Sequence, residues 1–181
     1  MVEVINRTKR EGCSKHPFFC FKFVTMADLK NTDLGMLLQR AKGITNQVIW
    51  RNVLNDPIFR NWILDLVRQK QLFEKGVDEN NRIIGVYSEV TEMINPKKEA
   101  GTHFTLYDTG EFYKSMFIIV FADSFVIDAD PIKIDEDGDV TNLFIEYGEG
   151  IVGLTDESKT LFANEFQRRS IIEYKRLLQI N

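Results

Sequence analysis

The chain has 181 residues, 44% of them hydrophobic and 12% aromatic, enough to bury the core of one ordinary domain without disulfide or metal support. No run approaches 18 apolar residues, which excludes a transmembrane helix, and the N-terminus lacks the charged, apolar and small-residue layout of a signal peptide. The net charge of −4 is unevenly spread: residues 1–75 hold 13 Lys/Arg against 7 Asp/Glu (net +6), and residues 76–181 hold 10 against 20 (net −10). Such polarity suits stacking against copies of the same chain or lying between unlike partners, and an ordinary solvated surface explains it too.

Residues 1–25 read as an extension or arm on a single α+β domain covering 26–181. They hold both cysteines, Cys13 and Cys20, and an alternation at Phe19, Phe21 and Phe23 that fits a short strand or an arm docking on a neighbour. The cysteines read as free thiols. With His16 they supply three candidate ligands, short of the usual four of a structural zinc site.

Two helices are expected next. Asn31, Thr32 or Asp33 caps the first. Its apolar face runs through Leu34, Leu37, Leu38, Ala41, Val48 and Ile49, weakened in the middle by Gly43 and Ile44-Thr45. Asp56-Pro57 opens the second, a cap residue followed by proline where its missing N–H is harmless. Ile58, Trp62, Ile63, Leu66, Val67 and Phe73 form the expected buried stripe, and Gly76 stops the helix. Residues 77–103 read as loop, with a helical turn at EVTEMI before Pro96.

Asp108-Thr109-Gly110 is a turn in which Asp108 bonds the backbone two residues on and Gly110 supplies backbone freedom. MFIIVFA (116–122) and FVIDA (125–129) then predict a β-hairpin with a tight turn at Asp123-Ser124. Phe117 to Phe121 is apolar at every position, whereas a half-exposed strand alternates. Either helices cover both faces, or another subunit covers one. DEDGD (135–139) reads as a solvated acidic turn, LFIEYG (143–148) as a further strand. A last helix starts at Thr155 and runs to about Leu178, acidic first and basic last, as the helix dipole favours. The expected fold is therefore α+β: a small antiparallel sheet with a central hairpin, packed by two N-terminal helices and one C-terminal helix.

Catalytic patterns are sparse. The sequence lacks G-x-G-x-x-G, a P-loop, G-x-S-x-G and H-E-x-x-H. His103, Asp108, Glu111 and Ser115 hold the residue types for acid–base or nucleophilic chemistry, but turn chemistry explains Asp108 and Glu111 more simply. Counted from Asp135 or from Asp78, a calcium loop needs glycine at position 6 and meets Val140 or Ile83 instead. KHPFFCFKF is the nearest approach to a basic, aromatic nucleic-acid stripe, and it is short. Trp50 and Trp62 fall in helical stripes as core or interface residues. No cofactor is called for. The unbroken apolar strand, the aromatic arm and the charge polarity together favour contacts with other chains.

Four segments resemble parts of one family. QLFEKGVDENNRIIGVYS (71–88) resembles a segment in which a helix ends in a phenylalanine-glycine region and a glycine–aromatic loop follows. LYDTGEFYKSM (106–116) resembles an L-x-x-T-G-x-L-x-x-S-I signature that leads into a hairpin, with Phe112 in place of leucine. LFIEYG resembles the aromatic-x-x-x-x-G strand that comes next. GIVGLTDES (150–158) resembles an F-L-G-L-[ST]-x-x-[DE] entry to the C-terminal helix, with GEGI where arginine-proline is usual. The family is that of tailed-bacteriophage tail-completion, neck and virion-morphogenesis proteins, and the likeness spans residues 34–178.

The resemblance implies a non-enzymatic virion protein, made in the host cytoplasm, that forms a ring or collar at the head–tail junction. Its implied partners are copies of itself and neighbouring neck, portal or tail proteins, with DNA passing close by in the channel and no membrane. Asp108, Thr109, Gly110, Tyr147 and Gly148 become structural turns, and Ile119 and Phe121 become assembly residues. A tail terminator or head-proximal ring is the alternative of the same kind. A small hydrolase or metal-dependent enzyme built on His103, Asp108 and Glu111 is the alternative of another kind.

Overall fold

The computed structural model describes residues 32–134 and 138–180. The expected arm, with Cys13, His16 and Cys20, lies outside the described residues, as do Asp135, Glu136 and Asp137 of the acidic turn. The chain divides into two units, Met1–Ile44 and Thr45–Asn181. Of the first, the described part is helix α1 (Asp33–Gly43) and its flanks, with Thr32 capping it through a 3.1 Å bond from the Gly35 N–H.

The single apolar period expected from Leu34 to Ile49 is two helices. Glycine is the poorest helix former among the residue types in the run, and α1 ends on Gly43. Ile44 is extended, and the Thr45 hydroxyl caps α2 (Asn46–Leu54) by accepting from the Val48 N–H at 3.3 Å. Asp56 and Pro57 open α3 (Pro57–Asp65) as expected, with the Asp56 carboxylate accepting from the Ile58 N–H.

The buried stripe of α3 differs from expectation in two places. Phe59 is fully buried and Ile58 exposed, because Phe59, Ile63, Leu66 and Val67 share one face at four- and three-residue steps while Ile58 lies about 100° round the axis. Beyond Asp65 the helix widens into a π-helical stretch, Leu66–Phe73, closed by the Glu74 N–H bonding the Gln69 carbonyl at 2.8 Å. Five-residue steps turn Gln71 and Leu72 inward and Phe73 outward. Gly76 ends the run at φ +60°, and a side chain there would collide with the His103 ring.

Residues 77–103 are largely irregular, as expected, and the helical turn expected at EVTEMI is α4 (Glu89–Ile94), capped by Ser88. Then follow α5 (Glu111–Ser115), β1 (Phe117–Val120), β2 (Phe125–Asp128), β3 (Ile132–Ile134), β4 (Val140–Asn142), α6 (Leu143–Tyr147), a 3-10 turn (Glu149–Val152) and α7 (Asp156–Leu178). The architecture is α+β, with seven α-helices and two two-stranded antiparallel sheets, β1–β2 and β3–β4, among the described residues.

LFIEYG is helix α6, not the expected strand. The Asn142 side chain accepts from the N–H groups of Phe144 and Ile145 and so starts a helix where the apolar composition alone suggests a strand. The β3–β4 pair brackets the acidic turn and was not expected from the sequence.

The core of the second unit gathers Leu54, Phe59, Ile63, Val67, Leu72 and Ile151, all fully buried. Against it α7 lays an aromatic row. Phe162 stacks on Phe59 and meets Phe125 of β2 with ring centroids 5.0 Å apart, and Phe166 meets Trp50 of α2 at 5.1 Å. Arg169 of α7 bonds Glu165 and Asp56 and sits 4.7 Å over the Phe59 ring. Paired with Arg168 first and Arg169 next, the Glu165 carboxyl is held down at about 2.

Candidate functional site

The β1–β2 hairpin is in perfect antiparallel register, Phe117 opposite Asp128, Ile118 opposite Ile127, Ile119 opposite Val126 and Val120 opposite Phe125. Its turn sits at Ala122-Asp123, one residue before the expected Asp123-Ser124, closed by the Phe121 N–H bonding the Ser124 carbonyl at 2.8 Å. The Trp50 indole donates to the Phe121 carbonyl at 3.1 Å and ties the tip to α2.

Because side chains alternate along a strand, the apolar run has two fates. Ile118 and Ile127 are buried, and Phe125 packs on the α7 aromatic row. On the other face Phe117 is 47% exposed, Ile119 38%, Phe121 50% and Val126 49%. Of the two coverings expected from the unbroken run, the described residues supply one, on the inner face.

The Asp108 corner lies elsewhere, at the mouth of a cleft of about 300 Å³. Asp108 lies 3.2 Å from the ammonium groups of both Lys98 and Lys133. Lys133, then Lys98, holds its carboxyl below the usual carboxylate range. The backbone bond expected of Asp108 is made by its neighbour instead: the Thr109 hydroxyl accepts from the Glu111 N–H at 3.4 Å. Gly110, at φ +79° under the Tyr107 ring, leads the chain into α5. Tyr147 lines the same cleft, its phenol pushed up to about 12 by burial and by Glu146. Gly148 follows α6 at φ +85° with open space around it.

The structure thus brings Asp108, Thr109, Gly110 and Tyr147 to one cleft and sets Ile119 and Phe121 on the outer hairpin face. The residues weighed for catalysis have local partners. His103 Nε2 is 3.0 Å from the Phe73 carbonyl, and the Ser115 hydroxyl donates to the Phe112 carbonyl and accepts from the Asp130 N–H. Asp108 and Glu111 line the cleft, whereas His103 does not. Among the described residues no group of three His, Cys, Asp or Glu side chains is placed to hold a metal ion, and no helix is long and apolar enough to cross a membrane.

Sequence reasoning missed Gln71. It is buried, donates through Nε2 to the Gly153 carbonyl at 2.8 Å, and accepts at Oε1 from the Thr155 N–H at 3.0 Å. It joins the π-helical end of α3 to the cap of α7. As one of three polar residues in QKQLF (69–73), it carries no signal for this, because the π-helical step that turns it inward is invisible in an α-helical pattern.

Compared with protein-family models, characterised proteins and solved structures, the chain matches none.

Proposed function

We propose that the chain is a non-enzymatic structural protein of a tailed-phage particle, assembling at the head–tail junction with copies of itself and with neck, portal or tail proteins. The observation that carries its assembling character is the outer face of the β1–β2 hairpin, where four large apolar side chains stand exposed on a strand pair whose other face is built into the core. Contiguous apolar surface of a few hundred Å², the size at which a monomer's largest patch is often functional, supports a contact with another chain.

The Asp108 corner supports the same reading. Its carboxylate is committed to two lysines that hold the segments before α5 and at β3 together, which is the work of a structural corner. The phage location rests on the four resembling segments, and the acidic C-terminal part suits a wall past which DNA slides without sticking.

Ile119→Asp tests the assembly. Ile119 points outward, so the variant is expected to keep the wild-type circular dichroism spectrum and to lose self-association by light scattering. A variant that assembles as the wild type does would remove the hairpin from the interface.

A further inference from the structure

Both edges of the β1–β2 ladder end in backbone groups, and the two strands differ in how they leave them. The Phe121–Ser124 bond fixes the alternation, so Ile119 and Phe117 bond across to β2, while Ile118 and Val120 turn their N–H and C=O groups to the free edge of β1. No described residue bonds those groups. Proteins commonly blunt such edges with a charge, a proline or a bulge. β2 carries Asp128 and β3 carries Lys133, but β1, Phe-Ile-Ile-Val, carries nothing of the kind.

We infer that the free edge of β1 pairs antiparallel with β1 of a second copy, about a two-fold axis at Ile119. The inference rests on the proposed self-association and not on closure of a ring. Three features of the strand select its own copy as the partner. β1 itself carries no charged side chain, and the Arg68 guanidinium at the start of that edge donates to the Met116 carbonyl at 2.9 Å, so along β1 two copies meet with no like charges opposed. A two-fold at Ile119 sets Ile118 opposite Val120 of the other copy, and these are the residues whose backbone groups are unpaired, giving four new main-chain bonds. The same register sets Ile119 opposite Ile119 and Phe117 opposite Phe121 on the outer face, an apolar and two aromatic cross-strand pairs.

The exposed fractions of Phe117, Ile119 and Phe121, the outer-face residues on the pairing strand, amount to at most about 250 Å² per copy, against ~800 Å² per partner in a stable complex. The pairing is therefore weak in dilute solution and fills at high concentration or within an assembly.

Disulfide trapping in the full chain, with Cys13→Ser and Cys20→Ser to remove the native thiols, tests the register. Opposed residues at the non-hydrogen-bonded Ile119 position lie about 4.5 Å apart between Cα atoms, within disulfide reach. Ile119→Cys at high concentration is expected to oxidise to a covalent dimer. Phe117→Cys and Phe121→Cys are expected to stay monomeric singly and to cross-link when mixed. Cross-linking of Phe117→Cys alone as readily as of Ile119→Cys would overturn the register. Self-association of the wild type at the same concentration with no Ile119→Cys cross-link would overturn this contact and leave the assembly reading standing. Absence of both would overturn the two together.

Discussion

Asp108 and its two lysines show how little of a side chain's role is local. Asp-Thr-Gly announces a turn, and a turn is there, with Thr109 and Gly110 in the parts that short polar and flexible residues take. The partners of Asp108 stand 10 residues before it and 25 after it, at Lys98 and Lys133, and no short-range pattern reports such a pairing. Because the folded carboxyl titrates below its unfolded value, its stabilisation is present above the ordinary carboxylate range, about pH 3.9, and is lost as pH falls through the lowered value. Asp108 is 44% exposed, so solvent screens the pairs. Asp108→Asn is expected to lower stability by less than about 1 kcal/mol in chemical denaturation, to leave oligomeric mass unchanged, and to flatten the acid limb of the stability profile. A variant that folds and assembles as before but loses a measurable hydrolytic activity would contradict the structural role.

At the scale of elements, the starts were the legible part. Thr32, Asp56 and Thr155 each cap a helix in the structure, because a short oxygen-bearing side chain before an apolar period satisfies orphan N–H groups wherever it occurs. The hairpin was legible from two β-rich runs, to within one residue at its turn. Less legible were α6, where Asn142 outweighs strand-like composition, and the π-helical end of α3, where Leu72 replaces Phe73 in the core. The buried Gln71 follows from that second departure. Gln71→Leu should fill the same space but strand the Gly153 carbonyl and the Thr155 N–H, lowering stability by about 1–3 kcal/mol in urea unfolding. A variant as stable as the wild type would show that the junction between α3 and α7 does not depend on those bonds.

The whole molecule poses a question that its own core leaves open. A strand with no polar residue from Phe117 to Val120 is built into the core on one side and left bare on the other, and its edge is unpaired among the described residues. The sequence carried the need for a covering on both faces; only coordinates show which face packs into the core and which the described residues leave exposed, because period-two alternation cannot be read from a run that is apolar throughout. The charge polarity, +6 in residues 1–75 and −10 in residues 76–181 from 13 against 7 and 10 against 20 charged residues, suits contacts between unlike surfaces of neighbouring subunits. The measurement that bears most directly on a structural role is the mass of the purified protein by light scattering, followed by electron microscopy of the same sample and of intact particles labelled for the chain. The account predicts a self-associating species and label at the head–tail junction. A protein that stays monomeric at every concentration and is absent from every particle would contradict it.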